Sequence, residues 1–104
     1  MLDVFHAVAD PTRRLILASL REGGPLSVSA LSAPLPMSRQ AVTKHLDILE
    51  AAGLVGRAIQ GRQRVHHLQP EPLKEMEAWL EPYAVAWDER LERLRIHLDG
   101  EDHE

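Results

Sequence analysis

The sequence predicts a mainly helical fold carrying one small β-hairpin, and three observations predict it. Apolar residues recur at three- and four-residue spacing through most of the chain. Polar capping residues and Gly or Pro breaks divide that pattern into separate helices. Only the stretch 54–69 departs from it, offering two strand-like runs around Gly61-Arg62.

The elements follow in order. Val4–Ala9 is a short helical stretch with Val4, Phe5 and Val8 available for packing. Asp10 caps a second helix, and Pro11 occupies its first position, where a missing N–H is harmless. Leu15, Ile16, Ala18 and Leu20 are expected to form its apolar side, and Gly23-Gly24-Pro25 stops it. Ser27 caps a very short third helix through Leu31 and Ser32, ended by Pro34 and Pro36. Ser38 then caps a fourth, Ser38–Ala52, with Met37 placed to close over Val42, and Gly53 supplies its left-handed end. Leu54–Gln60 and Arg64–Gln69 are the strand candidates; Gly61-Arg62 suits a type II′ turn, and a three-residue loop ending at Gln63 is the alternative. From Pro70 onward the chain is helical and acidic. Pro82 within that run predicts a kink, or an end and a restart.

Composition narrows the class. A chain of 104 residues reads as one domain, and 44% apolar content excludes a disordered or collagen-like polymer. With no Cys there is neither a disulfide framework nor a thiolate metal site. No apolar run approaches the roughly 20 residues that span a bilayer, and Met1–His6 lacks the pattern of a secretion signal. A soluble cytoplasmic protein with no membrane partner is the expectation.

The net charge of −4 is unevenly spread. Residues 38–69 carry five basic against two acidic side chains, a net +3, whereas 70–104 carry four against eleven, a net −7. Fields fade over a Debye length of about 8 Å at physiological salt, so local charge governs contact with a polyanion. The fourth helix sets Val42, Leu46 and Leu49 on one face and Arg39, Gln40, Thr43 and Lys44 on the other. Those four are residue types suited to base edges and phosphates in a DNA major groove. The hairpin adds Arg57, Arg62 and Arg64 beside them; charged hairpin tips are also ordinary solvated surface, and the neighbouring helix favours the DNA reading. The expected organisation is therefore a helix-turn-helix over 27–53, a wing over 54–69, a dimerisation region over 70–98 and a tail over 99–104.

A homodimer is expected because the last helix carries Leu80, Tyr83, Trp87, Leu91, Leu94 and Leu98 at steps of three or four. That is more apolar surface than a small monomer easily covers. Tyr83, Trp87, Leu91, Leu94 and Leu98, with Phe5 of the first helix, form the candidate interface, although part of the row must close the domain's own core. A two-fold dimer also suits two half-sites about one DNA turn apart.

Three blocks in order, Ala9–Leu17 (ADPTRRLIL), Met37–Leu46 (MSRQAVTKHL) and Leu49–Val55 (LEAAGLV), resemble the ArsR family of bacterial winged-helix repressors. The likeness runs from about Phe5 to Leu98, and Trp79-Leu80-Glu81-Pro82-Tyr83 with Trp87 look like a Cys-free branch of it. The resemblance implies a homodimeric transcriptional repressor on an imperfect inverted-repeat operator. It implies Ser38, Arg39, Gln40, Thr43 and Lys44 on the recognition helix, and Gly61, Arg62 and Arg64 on the wing. His45 falls on the inner flank, as a packed or backbone-bonded histidine, with base contact the alternative.

This chain departs from metal-sensing relatives. Its third helix, Ser27–Ser32, has no soft ligand, and His97, Asp99, Glu101, Asp102 and His103 do not reproduce a terminal-helix ligand pattern. A frayed acidic tail is the plainer reading, so no metal or cofactor is expected and the effector is left unassigned. A metal-sensing repressor of the same fold and a winged-helix protein-interaction module are the alternatives. An enzyme is not expected: there is no Cys nucleophile, Gly-rich phosphate loop or metal-binding His-Glu-His helix, and His66 and His67 must face opposite sides of a strand.

Overall fold

The computed structural model describes residues 3–101. In chain order these form α1 (Val4–Val8), α2 (Pro11–Gly23), α3 (Val28–Ser32), α4 (Arg39–Ala51), β1 (Val55–Gln60), β2 (Gln63–Leu68) and α5 (Glu71–Glu101). The starts of α2, α3 and α4 are fixed by local chemistry. The Asp10 carboxylate accepts from the Arg13 amide at 3.0 Å, Ser27 Oγ from Ala30 at 3.2 Å and Ser38 Oγ from Ala41 at 3.1 Å. Each satisfies an amide that has no partner inside its helix. At the other end of α4, Gly53 adopts φ +78, a left-handed conformation that glycine enters without steric penalty.

Contacts divide the chain into two units, Met1–Lys74 and Glu75–Glu104. The core of the first gathers Ala7, Ile16, Leu17, Leu20, Leu31, Val42, Leu46, Leu49, Leu54 and Val55, with Met37 and Leu73 packed partly buried against it. The buried face of α2 differs from the expected one. Leu15 is 56% exposed, whereas Leu17 is buried, and the buried row reads Arg13, Ile16, Leu17 and Leu20. That is regular 3.6-residue phasing with an arginine in its first place, so counting apolar residues alone misplaced the stripe.

β1 and β2 pair antiparallel from Val55↔Leu68 to Gln60↔Gln63. The turn is thus the two residues Gly61 and Arg62, not the three-residue loop. Gly61 has φ +64 and no non-glycine described residue has positive φ, which is the type II′ pattern. One further rung, from the Gln69 amide to the Leu54 carbonyl at 2.8 Å, extends the ladder at its base. Leu26 exchanges two backbone bonds with His66, 2.9 and 2.8 Å, and so lines the free edge of β2.

The described part of the second unit is helical. α5 is a single helix with Pro82 inside it, so the chain does not end and restart there. Pro82 deletes its own amide bond and costs about 3 kcal/mol, a loss confined to one turn of a 31-residue helix. Helix also continues through Glu101, so residues 99–101 belong to α5; Asp102 and His103 lie outside the described residues. Trp79 and Tyr83 stack at 5.0 Å between ring centroids. Arg95 pairs with Glu92 and Asp99 on the helix surface, and its guanidinium holds the Glu92 carboxyl below the usual range.

Candidate nucleic-acid interface

The face of α4 opposite the core presents Ser38, Arg39, Gln40, Thr43 and Lys44, all exposed. Ser38 serves as cap, so its oxygen is committed to the Ala41 amide. Thr43 Oγ1 donates to the Arg39 carbonyl at 2.9 Å, which leaves that hydroxyl as an acceptor beside its methyl group. Among the described residues, Arg39 and Lys44 form no ion pair. The same is true of Arg62 at the turn and Arg64 on β2, both exposed. Thr43 and Arg64 line one cleft, so the hairpin does lie beside the outward face of α4.

Arg57 is placed differently. Its guanidinium grips Glu50 through two bonds, one of them 2.8 Å, and reaches Asp47 at 3.2 Å. The Glu50 hydrogen bond and charge raise the Arg57 pKa above its ordinary value. Two carboxylates around one guanidinium leave a local charge of about −1, an environment that suits a strut between β1 and α4 better than a phosphate contact.

Two polar groups went unnoticed as structural centres in the sequence. Arg13 is 7% exposed, with Nε donating to the Ala7 carbonyl at 2.7 Å and a terminal nitrogen to that of His6 at 3.1 Å. Arg14 takes the next two carbonyls, Val8 at 2.8 Å and Ala9 at 3.0 Å. The end of α1, too short to satisfy its own carbonyls, is therefore closed by two arginines of α2. Arg13 also faces His45 Nδ1 at 3.4 Å. Asp10 Oδ2 stands 3.9 Å from the same atom, and the Arg13 amide bond lowers the Asp10 pKa. His45 is thus partly buried against side chains of α2, with no backbone bond. The signal for Arg13 was its phase, three and four residues before Ile16 and Leu17.

His66 is the other. It is 7% exposed, and its Nδ1 is buried without a hydrogen-bond partner. Burial pushes its pKa below the ordinary histidine value. Of the residues expected at a subunit interface, Phe5 is 37% exposed on α1, and Tyr83, Trp87, Leu91, Leu94 and Leu98 are 44–62% exposed on α5.

A helix-turn-helix domain family matches residues 8–56. The chain is 37% identical over 97 residues to the HTH-type transcriptional regulator Rv2034 of Mycobacterium tuberculosis, spanning 93% of this chain and 87% of that one. It superposes on the solved ArsR-like transcriptional regulator from Rhodococcus sp. RHA1 with a TM-score of 0.69 and 39% identity, over 88% of this chain and 85% of that one. The chain belongs to the ArsR family. Another relative, the transcriptional repressor SdpR of Bacillus subtilis, is 30% identical over 80 residues, 77% of this chain and 88% of SdpR. This ArsR-family chain is a DNA-binding transcription regulator of winged helix-turn-helix fold. No helix among the described residues is long and apolar enough to cross a membrane. No group of three or more His, Asp or Glu side chains that could hold a metal gathers among them either.

Proposed function

We propose that the chain is a cytoplasmic, non-enzymatic repressor that binds an inverted-repeat operator as a homodimer. The observation that carries this reading is the exposed Arg39, Gln40, Thr43 and Lys44 row of α4, capped by Ser38 and flanked by Arg62 and Arg64. α4 has 13 residues, about 20 Å of helix, a length suited to lying in a major groove. Arg39 and Gln40 read base edges; Thr43, with its hydroxyl proton already used, accepts from a base amino group or packs its methyl on thymine. Lys44, Arg62 and Arg64 contact phosphates, with Gly61 bending the wing toward the backbone. Arg57 is not assigned to DNA.

Dimerisation is supported by the exposed row on α5. Leu80, Trp87 and Leu94 repeat every seven residues, with Leu91 and Leu98 interleaved three and four positions away, the spacing of a helix–helix seam. Phe5 adds an apolar group on α1. The name of SdpR supports repression as the outcome of binding. Selection of bound duplexes from a random pool, with the mass of the complex measured by light scattering, tests the reading. Two half-sites in inverted orientation on a two-chain complex are expected. A single unpaired site, or a monomer on DNA, would overturn the dimeric model.

A further inference from the structure

A cleft of about 370 Å³ opens between the first residue of α3, the middle of α4 and the hairpin. It lies at the lower end of the roughly 300–1,000 Å³ typical of small-molecule sites. Val28, Ala58, Ile59 and Val65 give it apolar walls. Ile59 is 75% exposed, a large β-branched side chain that the fold itself leaves uncovered. The polar groups are few: Thr43, Arg57, Arg64 and the nine-tenths-buried His66.

We propose that this cleft binds a small monocarboxylate with an apolar body, its carboxylate held by Arg64 and by the imidazole N–H of His66. Charge selects the headgroup. Arg57, which also lines the cleft, is already engaged by Glu50 and Asp47, so Arg64 is the one unpaired cation on the walls. A single negative charge matches it. A phosphate monoester brings nearly two charges to a site where Asp47 and Glu50 outweigh Arg57, and an uncharged alcohol leaves Arg64 unmatched.

The imidazole is set up to donate. A sealed N–H without an acceptor costs more than a sealed lone pair that makes no bond, so the proton belongs on Nε2 and Nδ1 takes the buried position. Desolvation keeps the ring neutral at pH 7, so it offers a hydrogen bond without a second charge. The apolar body then covers Ile59, which shares a face of the hairpin with Arg64. Because the occupant wedges between α4 and the wing, its binding and duplex binding are linked reciprocally; this half of the inference rests on the DNA reading proposed above.

The test is titration of the DNA-free, full-length protein with octanoate, followed by NMR of the His66 ring and of the Thr43, Ile59 and Val65 amides. Octanol and octyl phosphate serve as headgroup controls. Saturable shifts at these groups are expected for octanoate, weakened about ten-fold or more by Arg64→Gln. Ile59→Asn, at an exposed position, keeps the fold and weakens octanoate as well. Equal response to octanol, shifts confined to the apolar row of α5, or indifference to both substitutions would overturn the site. In parallel, duplex affinity is expected to fall by about five-fold or more at saturating octanoate, because the carboxylate occupies Arg64, and an unchanged or raised affinity would overturn the linkage. Octanoate binding without any duplex binding sinks the DNA reading and leaves the site standing. Duplex binding without an octanoate site does the reverse.

Discussion

Replacing Arg13 with Met asks whether a charged side chain in a core position holds the first two helices together. Methionine keeps most of the apolar stem volume while deleting every donor. The bond to the Ala7 carbonyl, 2.7 Å, is the critical one, because Ala7 is wholly buried and its oxygen accepts from no other donor among the described residues. The His6 carbonyl also accepts from the Ala9 amide at 3.2 Å and is not orphaned. The 3.4 Å approach to His45 is too long to count for much. One orphaned buried acceptor costs about 1–3 kcal/mol, and losing a charge-assisted bond is of similar size, partly offset because no guanidinium has to be desolvated. The net loss is expected at about 2–3 kcal/mol. For a domain of this length that lowers Tm by about 10–20 °C. Arg14→Met removes the same number of carbonyl bonds at an exposed site, and surface changes of that kind stay within about 0.5 kcal/mol. Urea unfolding followed by circular dichroism at a fixed chain concentration separates the two. Equal losses in both variants, or less than about 1 kcal/mol for Arg13→Met, would refute the assignment of Arg13 as the buried closure of α1.

Three more outcomes are expected. Ser38→Ala removes the cap of α4 and should lower stability by about 1 kcal/mol, with a parallel loss of duplex affinity measured by anisotropy. Arg39→Ala should erode discrimination between selected and random duplexes, whereas Arg62→Ala weakens both alike and reduces the salt slope by about 1; Arg57→Gln should leave that slope unchanged, and a reduced slope would return Arg57 to the DNA face. The lowered pKa of His66 means that the unfolded chain binds its proton first as pH falls. Its contribution is present above the ordinary value of about 6.5 and lost as pH falls through the lower folded value, so unfolding curves between pH 7 and 5 should be shallower in pH dependence for His66→Gln than for the parent.

What could be read in advance was what depends on neighbours in sequence. Asp10, Ser27 and Ser38 are caps because a short side-chain oxygen reaches an amide three residues on, and nothing distant changes that. The hairpin turn at Gly61 was legible for the same reason, although only the strand register chose the two-residue type II′ form over the three-residue loop. What could not be read depends on partners far along the chain. Arg57 looked like a hairpin cation until Glu50, seven residues earlier, and Asp47, ten earlier, were seen to claim it. The expected apolar side of α2 omits Arg13 because arginine is rarely buried, yet its phase puts it in the core row. By local rule Pro82 predicts a kink, or an end and a restart, and α5 continues across it as one helix.

The Arg57 cluster also changes what the basic segment means. Counting side chains gives +3 for residues 38–69 wherever Arg57 points. With Arg57 bound to Glu50 and Asp47, the C-terminal half of α4 and the base of β1 become a slightly acidic block. The usable positive charge then falls on Arg39 and Lys44 in the first half of α4, and on Arg62 and Arg64 at the far end of the hairpin. Helix-turn-helix proteins read bases with the N-terminal residues of the recognition helix, and phosphates repel the acidic block under any deeper insertion. Under the proposed reading the duplex contact centres on the capped start of α4 and the wing tip together, and the ion pair with Arg57 reduces, without cancelling, the repulsion that Asp47 and Glu50 offer.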